Sequence, residues 1–120
     1  MAQPSPEPAP SSEPAPSSEP AEIDRIIHEP ARLALTTALL GVNGADFVFL
    51  QNLTGLTKGN LSSHLHKLEA AGIIAITKSG AGRTARTWVA LTPDGRAATT
   101  RHWRHLDQLK HLAQGNLTDP

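Results

Sequence analysis

One amphipathic segment near the middle of the chain constrains its fold more than any other feature. In "LTGLTKGNLSSHLHKLEAAG", residues 53–72, Leu61, Leu65 and Leu68 recur at the i, i+4 and i+7 spacing of one helical face. Thr57 stands before them as a candidate N-cap, and Gly72 follows where a left-handed C-terminal residue is favoured. The pattern predicts a helix over about residues 58–71 with one buried face.

The opposite face of this predicted helix is polar and almost without acid. Its residues are Lys58 at the first helical position, then Gly59, Asn60, Ser62, Ser63, His66 and Lys67. His64 is nearer the apolar face and is predicted to pack there. Small and hydrogen-bonding side chains on an exposed face favour contact with another polar molecule.

A shorter helix is predicted immediately upstream. Phe47, Leu50 and Leu53 recur at i, i+3 and i+6 behind Asp46, a candidate cap, and the pattern stops at Gly55. Two helices therefore meet at the tight turn formed by residues 54–56. A helix, a short turn containing Gly and a second helix with a polar outer face are the parts of a helix-turn-helix.

A β-hairpin is predicted next. Residues 73–79 ("IIAITKS") and 86–92 ("RTWVALT") are rich in β-branched or aromatic side chains, and Gly80 and Gly82 permit a tight tip between them. The basic residues of this two-stranded ribbon are Arg83 at the tip and Lys78 and Arg86 on the flanks. Such a tip can follow a phosphate backbone or enter a minor groove, although a charge-protected edge hairpin has the same composition. Its position directly after a helix-turn-helix is that of a wing.

Two further helices frame this unit. One is predicted over about residues 29–40 with Pro30 near its first position, and a long one over about residues 93–113 begins with Thr92-Pro93-Asp94. The long helix has an apolar stripe. We interpret this stripe, together with a short turn that precedes the helix over residues 29–40, as a dimer interface; packing onto the protomer's own core is the alternative. The predicted interface residues are Ile23, Ile26, Ile27, Ala98, His102, Trp103, Leu106, Leu109, Leu112 and Ala113.

The N-terminal segment has a composition that does not form a core. Residues 3–22 repeat "SSEPAP" or "SSEPAE", with four Glu, no basic residue and no large apolar side chain. Such a segment buries too little surface to offset the entropy of ordering it. The expected organisation is a disordered tail over residues 1–22, a folded domain over 23–114 and a flexible end over 115–120.

The net charge of zero conceals an asymmetry. The four Glu of the tail leave 11 basic and 7 acidic residues in the rest of the chain, a surplus of four positive charges. Between residues 56 and 88 there are five basic side chains and a single acidic one, Glu69. A local basic field beside a polar helix suits a polyanion such as nucleic acid.

Absent features narrow the function classes. There is no Cys, so a disulfide framework, a thiolate nucleophile and a Cys-type zinc site are excluded. The first residues do not form a signal peptide, and the longest apolar run, "LALTTALLGV", is too short to span a bilayer. We expect a cytoplasmic protein with no membrane partner and no cofactor.

Three blocks of the chain together resemble the compact winged-helix transcriptional regulators related to the MarR and ArsR families. They are "DRIIHEPARLALTTALL", "DFVFLQNLTGLTKGNLSSHLHKLEAAG" and "LTPDGRAA", and the resemblance covers about residues 23–105. It implies a mainly α winged helix-turn-helix with a three-helix core, a two-stranded wing and a long C-terminal helix. It also implies a homodimer, most simply a repressor, that binds operator DNA, with an effector of unknown chemistry as a further possible partner.

The resemblance also assigns contacts. It places Lys58, Gly59, Asn60, Ser62, Ser63 and Lys67 at major-groove or phosphate positions and Arg83 at the wing tip. From side-chain chemistry, Asn60 can pair with adenine, Lys58 can reach guanine or a phosphate, and the two Ser suit phosphates. His66 points outward and can touch the backbone.

Three other functions are weighed against this one. Gly80, Gly82 and Ala85 mimic a dinucleotide-binding fingerprint, but no helical pattern follows them. A metal sensor is suggested by the side chains on the long helix, namely His102, His105, Asp107 and His111. A winged helix that binds only protein is the third, and the basic wing disfavours it.

Overall fold

The computed structural model describes residues 20–118 as a mainly α protein with one small antiparallel sheet, which confirms the predicted fold class. The helices are α1 (Pro20–His28), α2 (Pro30–Leu40), α3 (Phe47–Thr54), α4 (Lys58–Ala70) and α5 (Pro93–Thr118), and the strands are β1 (Ala45–Asp46), β2 (Ile74–Ser79) and β3 (Arg86–Leu91). Over residues 20–118, no helix is both long enough and apolar enough to cross a bilayer.

The folded elements extend past the expected domain bounds at both ends. The helix α1 begins at Pro20, inside the segment predicted as tail, and α5 continues to Thr118, beyond the predicted end at residue 113. The remaining part of the predicted tail, residues 1–19, lies outside the described residues, as do residues 119–120.

Four helices begin with the same device, in which a side-chain oxygen accepts a hydrogen bond from the backbone N–H three residues on. The capping residues and their N···O distances are Glu29 for α2 (3.0 Å), Asp46 for α3 (2.8 Å), Thr57 for α4 (3.1 Å) and Thr92 for α5 (2.8 Å). Pro30 occupies the start of α2, where a missing N–H costs nothing. These starts agree with those predicted from the sequence.

A glycine makes the turn of the helix-turn-helix possible. Gly55 ends α3 with φ 73°, a left-handed conformation that a residue with a Cβ adopts only at a cost, and its N–H bonds the carbonyl of Gln51 at 2.8 Å. Two residues later Thr57 opens α4. The predicted glycine after α4, Gly72, is likewise left-handed, with φ 77°.

The predicted hairpin is present, and a third strand that the sequence did not predict joins it, so the sheet has the order β1-β3-β2. The main hairpin pairs Ile76 with Val89 and Ser79 with Arg86. The additional strand pairs Ala45 with Val89. A strand of two residues has no alternation to detect, which is why the sequence pattern did not reveal it.

One apolar core lies beneath α2, α4 and the sheet. The leucines that define the buried face of α4, Leu61, Leu65 and Leu68, are all buried as predicted. They pack with the buried residues Leu35, Leu39, Leu50, Ile73, Ile74 and Val89. Burying a side chain of this size stabilises the fold by roughly 1.5–3 kcal/mol, so the stripe of α4 fixes which face of the helix remains outside.

Three residues predicted for the dimer interface are instead buried inside the protomer. Ile27, Ala98 and His102 are 0%, 3% and 4% exposed, because α1 packs against α2 and against the first half of α5. Ile23 and Ile26 are half-buried against the same core. The prediction is therefore corrected: the first half of the stripe on α5 belongs to the protomer's core.

Candidate nucleic-acid interface

The outer face of α4 is open to solvent along its whole length. Every residue predicted to contact DNA from this helix is exposed: Lys58, Gly59, Asn60, Ser62, Ser63, His66 and Lys67. The buried leucines hold the other face, so the polar residues cannot turn inward without losing the core. His64 is half-buried at the margin between the two faces, as predicted.

The tip of the wing is closed by hydrogen bonds of one side chain, Thr84, to the backbone. The hydroxyl of Thr84 accepts from the N–H of Ala81 at 3.2 Å and donates to its carbonyl at 2.9 Å, across a turn of 3-10 helix at residues 82–84. Gly80 has φ 76°, and a Cβ there would overlap the carbonyl of Thr84. Arg83 is consequently held at an exposed tip.

The two basic residues on the wing flanks lie on different faces of the ribbon. Lys78 pairs with Thr87, on the face that holds Ile74 and Ile76, whereas Arg86 pairs with Ser79 on the opposite face. Both side chains are exposed. The sequence placed both residues on the flanks of the wing, and the strand register puts them on opposite sides of it.

A groove joins α4 to the wing. It has a volume of about 830 Å³ and runs between the start of α4, the start of α3 and the wing tip. Its lining residues are Asp46, Phe47, Val48, Lys58, Ser62, Arg83, Thr84, Ala85, Arg86 and Thr87. Four residues predicted from separate segments therefore meet at one site: Lys58 and Ser62 from the helix, and Arg83 and Arg86 from the wing.

Asp46 is a residue of this groove that the sequence had marked only as a helix cap. Its Oδ1 caps α3, and its Oδ2 lies 3.5 Å from the Arg86 Nη1. The Arg86 side chain is 71% exposed, and an exposed ion pair of this length contributes little, so Arg86 can leave Asp46 for another anion. Asp46 reaches Arg86 through the pairing of β1, the strand that the sequence did not reveal.

The histidines of α5 that suggested a metal sensor are divided between separate contacts. His102 is buried with its Nε2 3.1 Å from the Nδ1 of His28, and burial lowers the pKa of His102. His111 is instead 3.8 Å from Asp107 at the exposed end of the helix. Within the part of the chain that the structure describes, no three His, Asp or Glu side chains converge as metal ligands would.

Comparison with known proteins gives the same fold. Residues 31–110 match the family model described as a winged helix DNA-binding domain. An uncharacterized protein of Methanocaldococcus jannaschii is 31% identical over 85 residues, which cover 71% of this chain and 92% of that protein.

Solved structures extend the comparison. A transcriptional regulator homologue from Pyrococcus horikoshii superimposes with a TM-score of 0.65 at 35% identity, over 76% of this chain and 87% of that one. A MarR-family regulator from Enterococcus faecalis gives a TM-score of 0.59 at 19% identity, over 89% and 96% of the two chains, and shows likeness of fold alone. The chain belongs to the family of winged helix DNA-binding domains, and its fold is the one found in MarR-type regulators.

Proposed function

We propose that the chain is a dimeric, sequence-specific repressor that places α4 in the major groove of an operator and the wing on the adjacent backbone or minor groove. The observation that carries the proposal is the groove between α4 and the wing, where Lys58 of the helix meets Arg83 and Arg86 of the wing. Three cations around one groove match the phosphate backbone, because Lys and Arg release condensed counterions when they neutralise phosphates.

The outer face of α4 fits the role of reading bases. A major groove about 12 Å wide admits one α-helix, and an exposed Asn can form two hydrogen bonds with adenine. Asn60 fits this role. It is exposed in the first turn of α4, and its side chain has no hydrogen-bond partner among the described residues. Ser62, Ser63 and Lys67 flank it and suit phosphate contacts, which set the register but carry no sequence information.

The second half of α5 supports a dimer. Beyond the buried His102, the apolar stripe continues as Leu109 and Leu112, which are 49% and 56% exposed, with half-buried Leu106 behind them. Leu109 and Leu112 sit at i, i+3 spacing and share one face, so two copies of α5 can bury them against each other around a two-fold axis. Two protomers then present two copies of α4 to half-sites about one helical turn apart, roughly 34 Å.

Selection of bound fragments from a genomic DNA pool, followed by anisotropy titration of the best fragment, tests the proposal. With roughly three phosphate contacts for each protomer, log affinity falls with log salt at a slope of about −5. Replacing both Lys58 and Arg83 with Ala removes about four contacts from the dimer and reduces the slope to about −2.

The matched control is Lys110→Ala, which removes one exposed cation from the second half of α5. This variant keeps the wild-type affinity and slope. If the protein selects no duplex, the functional proposal is wrong; if the double variant binds as the wild type does, the contact surface is wrongly placed.

A further inference from the structure

Arg32 of α2 ties three elements together beneath the recognition face. Its Nε donates to the carbonyl of Ile26 in the last turn of α1 at 2.7 Å, and its Nη1 lies 3.2 Å from the Nδ1 of His64 on α4. Its backbone N–H donates to the Oε1 of Glu29 at 3.0 Å. Arg32 is half-buried, and these contacts to α1 and α4 hold its guanidinium between the two helices.

The chemistry of this contact fixes the state of His64. A guanidinium has five N–H donors and no acceptor, and it stays charged in proteins. The Nδ1 of His64 must therefore be the acceptor, which requires a neutral imidazole with its proton on Nε2. The side chain of His64 is 20% exposed, so the bond is shielded from most of the competing water.

The bond between Arg32 and His64 restricts a small rotation of α4 about its own axis, which the three leucines alone restrict poorly. Apolar contacts have no direction, and a helix seated on three leucines can still roll about its axis. A roll of about 20° moves side-chain tips that lie about 6 Å from the axis by about 2 Å, which is enough to break a hydrogen bond to a base. The bond to His64, at one margin of the stripe, opposes such a roll.

We propose that Arg32 is a positioning residue for DNA reading: through His64 it fixes the roll of α4, and protonation of His64 releases that bond. The inference rests on the proposed function, because its consequence is a change in operator affinity. Neither side chain has to touch DNA.

The groups around His64 determine what protonation does. Those facing it from α2 and its cap are Arg32 and Glu29, and the Oε1 of Glu29 is 3.9 Å from the Nδ1 of His64. From α1 comes the carbonyl of Ile26 that holds Arg32, whereas His28 at the end of α1 is engaged with His102. The backbone N–H of Arg32 lowers the pKa of Glu29, which keeps its carboxylate charged in mild acid. A protonated His64 is thus repelled by Arg32 and attracted to the oxygen that caps α2.

Two substitutions of His64 separate positioning from charge. In His64→Asn the amide oxygen can take the place of Nδ1 as acceptor but cannot be protonated, whereas His64→Ala removes the acceptor. At pH 8 we expect His64→Asn to bind the selected duplex as the wild type does, and His64→Ala to bind about fivefold more weakly with an unchanged salt slope. An unchanged slope shows that no phosphate contact was lost.

The pH profile gives the decisive comparison. Between pH 8 and 5.5, the affinity of the wild type relative to His64→Asn should fall about fivefold. A simple charge effect has the opposite sign, since a protonated His64 would attract phosphates and raise the relative affinity. If the ratio of wild-type affinity to His64→Asn affinity stays flat or rises as the pH falls, the proposal for Arg32 is wrong. The wild type would still bind DNA in that case, so this outcome differs from failure of the proposed function.

The tautomer can be tested without DNA. Nitrogen-15 shifts of the imidazoles in the free protein should show His64 with its proton on Nε2 at pH 8, and Arg32→Ala should remove that preference. A proton on Nδ1 in the wild type contradicts the bond and with it the proposal.

Discussion

At the scale of single residues, Gly59 is a position where the protein has room for a side chain. Nothing lies within 4 Å of an ideal Cβ at Gly59, and its backbone is not left-handed. We predict that Gly59→Ala stabilises the fold by up to about 1 kcal/mol, because Ala is the better helix former. The same methyl group lies at the start of α4, where a phosphate would approach, so duplex affinity falls. Thermal melts and anisotropy titrations measure the two effects.

Thr100→Ala is the control for this separation. Thr100 is exposed in the first half of α5, away from α4, the wing and the proposed dimer contacts at Leu109 and Leu112, and Ala is again the better helix former. This variant should share the stabilisation but leave duplex affinity unchanged. Wild-type affinity in Gly59→Ala would mean that the duplex does not come close to the start of α4.

Asn60 should determine specificity. Its backbone N–H is held by the Thr57 hydroxyl, so Ala at this position leaves the first turn of α4 intact. We predict that Asn60→Ala loses about 1–3 kcal/mol of discrimination at one base pair and little at the others, as a bidentate base contact would. Titration of a set of singly substituted duplexes measures it. Ser63→Ala provides the contrast, since loss of a phosphate contact lowers the affinity for all the duplexes about equally. If Asn60→Ala also lowers the affinity for all of them equally, Asn60 does not read a base.

At the scale of elements, the helices and strands that could be predicted from the sequence were those with a periodic spacing of apolar residues. The leucines of α4 and the caps Asp46 and Thr57 placed the helix-turn-helix correctly, because spacing and capping chemistry are local. The strand β1 has only two residues, so it carries no period. Its pairing with β3, and the arrival of Asp46 beside Arg86, depend on contacts between distant segments.

The stripe on α5 shows a second limit of sequence patterns. Periodicity identified Ala98, His102 and Leu109 as one apolar face, but it cannot say what covers that face. The first half packs against α1 and α2, and the second half continues past them into solvent. The boundary depends on where α1 ends, which is a tertiary property.

The contact between α1 and α5 makes stability depend on pH. Burial lowers the pKa of His102 below the ordinary value of a histidine, so the unfolded chain takes up a proton at a higher pH than the folded one. The unfolded state therefore binds more protons just below pH 6.5, and stability falls as the pH drops through that window. We predict a lower free energy of unfolding in urea at pH 5.5 than at pH 7.5.

Substitution of His102 tests whether this side chain causes the loss of stability at low pH. His102→Phe replaces the imidazole with an apolar ring in a site that buries it and should flatten the pH dependence, whereas the exposed His66→Gln should retain it. Work above pH 5 keeps Glu29 charged throughout the comparison, because the backbone N–H of Arg32 lowers the pKa of its carboxyl from the ordinary value. Equal pH dependence in His102→Phe and the wild type would place the proton uptake elsewhere.

At the scale of the whole molecule, charge and assembly act together. The sequence predicted a basic region between residues 56 and 88, and the structure brings part of it, Lys58, Arg83 and Arg86, around one groove. Lys78 lies on the other face of the wing because strand register, which the composition does not contain, decides the side. One groove of this kind offers few cations to a phosphate backbone, so under the proposed function we expect strong binding to need two protomers on one duplex.

The final prediction joins the dimer to the salt dependence. Replacing both Leu109 and Leu112 with Asp puts charges on the exposed stripe of α5, and burying them between two copies would cost several kcal/mol, so the variant should sediment as a monomer. A monomer carries half of the phosphate contacts, so the salt slope should fall from about −5 to about −2.5. His111→Asp adds an exposed acid about 160° around the helix from Leu109 and about 100° from Leu112, and should remain a dimer with the full slope. A double variant that stays dimeric would put the interface elsewhere, and a monomer that keeps the full slope would show that one protomer makes all the contacts.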